Sequence, residues 1–204
     1  MSFFRIFPIV TGHGEVRALP VLLARIIREV QPEAAFSILK PWRCRENQLI
    51  DPRSPVLENA VRAGIQAVGT EGAVFVVLDC EDDCPARLGP ALRERIQGYA
   101  RGGLATVVCA FREYETWFLW SLESMVGEYG LSHDAKAPND PESCRGAKEW
   151  LASHIQGGSY APTIDQEVLT NAMDIKLARR SDSFDKLYRE VESLVGKLHG
   201  PTPR

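Results

Sequence analysis

The stretch PIVTGHGEVRALPVLLARIIREV, Pro8 to Val30, runs from an apolar segment through two glycines straight into a helical pattern. The spacing predicts a helix over Glu15–Val30, because Val16, Leu19, Leu22, Leu23, Ile26, Ile27 and Val30 share one face. Pro20 is expected in its first turn, where a missing N–H is harmless. The preceding Phe3–Val10 reads as a strand, so the stretch is the first half of a strand–helix–strand unit.

The pattern then repeats. Ala34–Leu39, Ala73–Leu78 and Leu104–Ala110 read as further strands, and AVFVVL and LATVVCA are nearly continuous apolar runs. Such runs belong to strands covered on both faces. Ser54-Pro55 opens a helix to about Val68, and Arg87–Ala100 and Glu113–Tyr129 read as two more. Strands alternating with helices predict an α/β fold with a parallel central sheet flanked by helices. Beyond the loop-like His133–Arg145, helices over Ala147–His154, Asp165–Met173 and Ser183–His199 form a helical C-terminal part. The expected organisation is a core over residues 1–130, a helical extension packed on it over 131–199, and a disordered tail at 200–204.

Bulk composition narrows the class. Hydrophobic residues make up 45% and charged residues 25% of the 204, ordinary values for a soluble globular protein. No apolar run approaches the roughly 20 residues that span a bilayer, and MSFFRIFPIV has no basic start or cleavage site of a signal peptide. A net charge of −3 gives no global footprint for nucleic acid, although a metal ion can neutralise an acidic site where phosphate binds. Five cysteines without a CxxC pair argue against a zinc ribbon or a disulfide framework. A reduced, cytoplasmic protein is expected.

In a parallel sheet, function gathers at the carboxyl ends of the strands. Three of those ends carry acids or glycines: Thr11-Gly12-His13-Gly14-Glu15, Asp79-Cys80-Glu81-Asp82-Asp83 and Phe111-Arg112-Glu113-Tyr114-Glu115. If the extended conformation persists, Asp79, Glu81 and Asp83 point the same way. Crowded carboxylates of this kind suit Mg²⁺ or Mn²⁺ with open positions for phosphate and water; an acidic loop facing water is the plainer alternative. The glycine turn lacks the third glycine of GxGxxG and the GK[ST] of a P-loop. Its amides would favour an anion at Gly12, His13 and Gly14, or the glycines simply make a tight connection. Glu15 complements the helix dipole or reaches the metal. His13 is expected to be exposed, and Cys80 and Cys84 to be small buried residues. Two residues apart on a helix, Glu113 and Glu115 cannot face the same way, so at most one joins the cluster.

Taken in order, GHGEVxALPVLL, LDCEDDCP and REYETWFLWSLESM resemble the Toprim superfamily. More narrowly they are similar to a bacterial family of small stand-alone Toprim-like proteins (domain-of-unknown-function family four-two-seven-six), whose usual ending the segment YAPTIDQEVLTNAMDIKLARRSDSFDKLYREV also resembles. The resemblance covers nearly the whole chain. It implies Mg²⁺-dependent chemistry on phosphodiester bonds, as in topoisomerases, primases and the overcoming-lysogenization-defect nucleases. It places the DxD pair on Asp79 and Glu81, with Asp83 as a further acid. Where relatives read EGHGE, the first glutamate is the catalytic acid, and here that position is Thr11. A hydroxyl cannot replace a carboxylate as an acid, a base or a charged ligand, so Glu15 would have to supply it.

The leading expectation is therefore a metal-dependent nuclease with Glu15, Asp79 and Glu81 catalytic and Asp83 as an additional ligand. Arg112, Lys176, Arg179 and Arg180 are candidate backbone contacts. By family analogy a companion ABC/AAA-type ATPase and a role in phage defence are implied. The alternative is a catalytically degenerate Toprim-like binding or partner protein. A phosphoacceptor module ranks lower, because Arg112 follows the fourth strand where that class needs lysine.

Overall fold

A computed structural model describes residues 3–199. The expected class is what it shows: five parallel strands flanked by helices, with a helical C-terminal part. The strands are β1 (Phe3–Val10), β2 (Ala35–Ile38), β3 (Trp42–Arg43), β4 (Gly72–Asp79) and β5 (Leu104–Ala110). Their order is β2-β1-β4-β5, and β3 pairs with β1 beyond β2 on the same edge. Every pairing is parallel, with β1 and β4 in the middle, which explains why their side chains are almost all buried.

Nine helices complete the described residues: α1 (Glu15–Val30), α2 (Glu46–Ile50), α3 (Val56–Val68), α4 (Pro85–Ala100), α5 (Thr116–Trp120), α6 (Ala147–His154), α7 (Pro162–Ala172), α8 (Ile175–Ala178) and α9 (Asp182–His199). One face of the sheet is covered by α1, α5, α7 and α9 around Leu22, Phe75, Trp117, Phe118 and Phe184. The other is covered by α3 and α4 around Leu57, Val61, Val76 and Ile96. The C-terminal helices thus share one hydrophobic cluster with the sheet. The tail expectation lies outside the described residues.

Three local expectations need correcting. Pro20 is the sixth residue of α1 rather than part of its first turn. It removes the N–H that would bond the Val16 carbonyl, and the buried face of Leu19, Leu22, Leu23, Ile26 and Ile27 carries the helix past it. The Glu113–Tyr129 helix shrinks to α5 and a short 3-10 turn at Leu122–Ser124. Its start is delayed because Asp79 Oδ1 accepts the Tyr114 N–H at 2.8 Å. Beyond α5, the Ser121 hydroxyl takes the Asp174 N–H at 2.7 Å, and Gly127, Tyr129 and Gly130 have positive φ. Finally, Cys84 is exposed, not buried; Cys80 is buried as expected.

Candidate functional site

The TGHGE turn is shaped by close approach. Gly14 is the residue before α1, with an ordinary helical φ of −69°. A Cβ there would lie 2.1 Å from Gln166 Oε1 and 2.5 Å from the Pro162 carbonyl oxygen, so glycine lets the start of α7 pack on the turn. A Cβ on Gly12 would lie 2.6 Å from Glu15 Oε1. Glu15 folds back over the turn, and its Oε2 accepts the N–H groups of Thr11 and Gly12 at 3.2 Å each. Of the three amides expected to hold an external anion, Gly12, His13 and Gly14, the Gly12 N–H is thus taken by a carboxylate of the chain itself, together with that of Thr11. His13 is exposed, as expected.

Glu15 is 2% exposed. Burial first, then the charges of Asp79 and Glu115, push its pKa well above the usual carboxylate range. Asp79 closes β4; its Oδ1 takes the Tyr114 N–H, and its Oδ2 lies 3.5 Å from Lys148 Nζ. Glu115 is fully buried. Its Oε1 accepts from the Tyr160 hydroxyl at 3.0 Å and the Gln166 amide at 3.3 Å, and its Oε2 lies 3.6 Å from Lys148 Nζ without a hydrogen bond. Glu113 Oε2 accepts the Lys148 backbone N–H at 3.2 Å and lies 4.0 Å from the same Nζ. Three strand ends thus bring acids together, and α6 places one ammonium among them.

Both Glu113 and Glu115 join the cluster, against the expectation that only one could. Residues 113–115 form a turn ahead of α5, so helical spacing does not govern them. The opposite correction applies to Asp79, Glu81 and Asp83. The strand ends at Asp79, the Asp83 N–H bonds back to the Cys80 carbonyl at 2.7 Å, and Glu81 has φ +42°. The alternation is lost, and Glu81, Asp82 and Asp83 are exposed. Asp82 is held by Arg112 at 3.2 Å and Arg145 at 2.8 Å. Arg112 is itself strained at φ +62°, and its carbonyl accepts the Glu81 N–H at 2.9 Å. Two non-glycine residues in left-handed conformation, bonded to each other at adjacent strand ends, store about 1–3 kcal/mol each.

The electrostatics set four carboxylates against one ammonium. Burial pushes Asp79 up to about 6 and Glu115 up to about 7, even with Lys148 beside them. Glu46, at the start of α2, is pushed up to about 7 by burial and by the charges of Glu81, Asp79 and Asp83. Burial opposes the Lys148 charge, but Glu115, Asp79, Glu113 and Glu15 overcome it and hold its pKa above that of an ordinary lysine. The site is short of positive charge. Its donor set, carboxylates with one oxygen anchored by a protein N–H or O–H, is of the type hard divalent cations take, and Glu115 Oε2, paired with Lys148 at 3.6 Å, makes no hydrogen bond. Among the described residues, no three Asp, Glu, His or Cys side chains are arranged to hold a metal ion as they stand. The Lys148 ammonium lies where Asp79, Glu113 and Glu115 converge.

Other expected contacts lie elsewhere. Arg179 pairs with Asp185 and Arg180 with Glu123, and Lys176 is exposed. Thr11 is half-buried; its N–H serves Glu15, and its carbonyl accepts from Arg43 at 3.4 Å. Sequence reasoning missed Lys148, Tyr160 and Gln166, which lie on α6, just before α7 and on α7. Only for Glu115 was there a local signal, a carboxylate set between aromatics in EYETW. No protein-family model, curated protein or solved structure matches the chain. Among the described residues no helix is long and apolar enough to cross a membrane.

Proposed function

We propose that this protein is a divalent-cation-dependent nuclease of Toprim-like type. The observation that carries the reading is the convergence of Asp79, Glu113 and Glu115 on one point at the carboxyl edge of the sheet. Glu15 stands in the same field, and one buried carboxylate oxygen, Glu115 Oε2, makes no hydrogen bond. Asp79 and Glu115 would hold Mg²⁺ or Mn²⁺, with Glu113 and Glu15 beside them; Glu81 and Asp83 would line the mouth. A bound divalent ion supplies charge neutralisation at phosphate oxygens and a more acidic water. Lys148 would give way to the ion and pair with a phosphate oxygen. Arg112 and Arg145 now bind the Asp82 carboxylate and would take a second phosphate. The Glu15 carboxylate, fixed by the Thr11 and Gly12 amides, would stand in for the acid that Thr11 lacks. The resemblance also points to a companion ATPase and phage defence, and the five free cysteines favour a reduced, cytoplasmic setting.

The test is incubation with supercoiled and single-stranded DNA and with RNA, in Mg²⁺ and in Mn²⁺, alone and with a companion ABC/AAA-type ATPase. Cleavage that disappears in Asp79→Ala and Glu115→Gln supports the reading; no cleavage under any of these conditions overturns it.

A second reading, a binding protein whose acid cluster is closed by its own lysine, is favoured by Thr11 and by the Lys148 contacts. Thr11→Glu separates the two: a strong gain of cleavage identifies the natural chain as a degenerate nuclease.

A further inference from the structure

The segment Lys40-Pro41-Trp42-Arg43-Cys44-Arg45 carries three cations and an aromatic ring, and the nearest acids in sequence are Glu33 and Glu46. It contains β3, which pairs Trp42 with Ile9 and Arg43 with Val10 and so extends the sheet edge to the TGHGE turn. Lys40, Arg43 and Arg45 are exposed, and none forms an ion pair among the described residues. Arg43 only touches the Thr11 carbonyl, at 3.4 Å. Trp42 is 42% exposed, whereas Trp117 is fully buried and Trp120 and Trp150 are half-buried. The segment leads into α2, whose first residue, Glu46, already feels the charges of Asp79, Glu81, Asp83 and Lys148.

Edge protection accounts for part of this pattern. Lysine, proline and arginine blunt an unpaired strand edge against aggregation. An exposed tryptophan does the reverse, because it adds apolar surface to the edge it should disguise. Unpaired cations flanking one open aromatic ring along a sheet edge, with Trp42 and Arg43 leaving opposite faces of that edge, are what a nucleic-acid strand with unstacked bases can wrap: phosphates for the cations, a base for the ring. A duplex keeps its bases stacked inside and offers the ring nothing.

We infer that Lys40, Trp42, Arg43 and Arg45 form a landing strip for single-stranded nucleic acid, which delivers the strand past the TGHGE turn to the carboxylate cluster. The inference rests on the proposed nuclease reading for what happens to the strand afterwards, but binding to the strip is independent of it. With the chain's net charge of −3, the strip is a local cationic track on an acidic molecule. It therefore selects where a strand lies as well as whether it binds.

The experiment is fluorescence anisotropy of the whole protein in EDTA, with labelled dT20, U20 and a 20-base-pair duplex, each as a salt series. Expected are tighter binding of single strands than of duplex and quenching of tryptophan emission. Trp42→Ala should weaken dT20 or U20 binding about tenfold, and Trp42→Phe should keep most of it. Arg43→Ala/Arg45→Ala should lower the slope of log K against log salt by about 1.4, at roughly 0.7 per lost phosphate contact. The dT20 and U20 arms tell DNA from RNA. Absence of single-strand binding, equal affinity for the duplex, or unchanged affinity in Trp42→Ala overturns the strip; circular dichroism of the variants verifies folding. Tryptophan-dependent binding without cleavage keeps the strip and refutes the nuclease. Cleavage with unchanged KM in Trp42→Ala does the opposite.

Discussion

Two acidic regions lie a few residues apart and behave as opposites. The CEDDC turn, Cys80–Cys84, has the densest run of acids in the chain, yet Glu81, Asp82 and Asp83 face water and Asp82 is already neutralised by Arg112 and Arg145. The inner cluster draws Glu15, Asp79, Glu113 and Glu115 from three strand ends, and they share one ammonium. Solvent screens the first set at little cost, while burial makes each unneutralised charge in the second expensive. Acidic density along a chain marks a solvated turn; acidic convergence in space marks a site.

The sharpest way to break that contrast is activity. On the proposed nuclease reading, Asp79→Ala should lower cleavage by more than about 100-fold, beyond the 10–100-fold typical of losing an outer-shell partner. Asp82→Ala should stay within about threefold in the same initial-rate assay. Comparable losses from both would dissolve the distinction between the two regions.

Packing separates them as well. Gly14→Ala would drive a Cβ into the Pro162 carbonyl and Gln166, contacts the rigid backbone of α7 cannot relieve cheaply. A loss of about 2–3 kcal/mol is expected, seen as a fall in Tm of about 5–10 °C. Gly98, on α4 beyond the CEDDC turn, has open space around its Cβ position and no proline after it, so Gly98→Ala should leave Tm unchanged or raise it slightly.

Charge deficit is tested by Lys148→Met. Removing one member of a buried ion pair costs about 3–5 kcal/mol, and the 37% exposure of the Lys148 side chain reduces that to about 2. Urea unfolding in EDTA should show this loss at pH 8, and Mn²⁺ should restore most of it. An equal loss with and without Mn²⁺ would mean that the cluster does not take a cation.

Glu190 supplies a control of opposite sign. Burial opposes its charge, but hydrogen bonds from Lys186, Thr106 and Arg93 overcome this and hold its pKa down at about 2. A depressed carboxylate contributes stability that is complete above its unfolded pKa of about 4.3 and fades as pH falls towards 2. Glu190→Gln should therefore cost about 1.5 kcal/mol at pH 7 and nearly nothing at pH 2. A loss independent of pH would show that packing, not charge, holds this contact.

The legible parts of the chain were those with strong local periodicity. The boundaries of β1, β5, α1 and α6 coincide with the expected ones, and β4 differs by one residue at each end. Broad apolar stripes allow only one period each. Lys40–Ile50 was unreadable by the same measure, since β3 has two residues and α2 five, too few to show a period. In the site, Glu15 and Asp79 were visible because they close or follow buried strands. Lys148, Tyr160 and Gln166 were not, because they come from α6, α7 and the segment leading into α7, which meet the strand ends only through tertiary packing.

By itself, the sequence determined the parallel sheet, the helices on both faces and the edge at which acids collect, since apolar periodicity and strand-end position are local properties. Only the tertiary structure decided which acids turn inward, that the Glu15 carboxylate takes the Thr11 and Gly12 amides, and that Lys148 stands among three carboxylates. Those outcomes depend on which surfaces are buried against each other. Burial sets both the cost of a charge and the partners able to offset it.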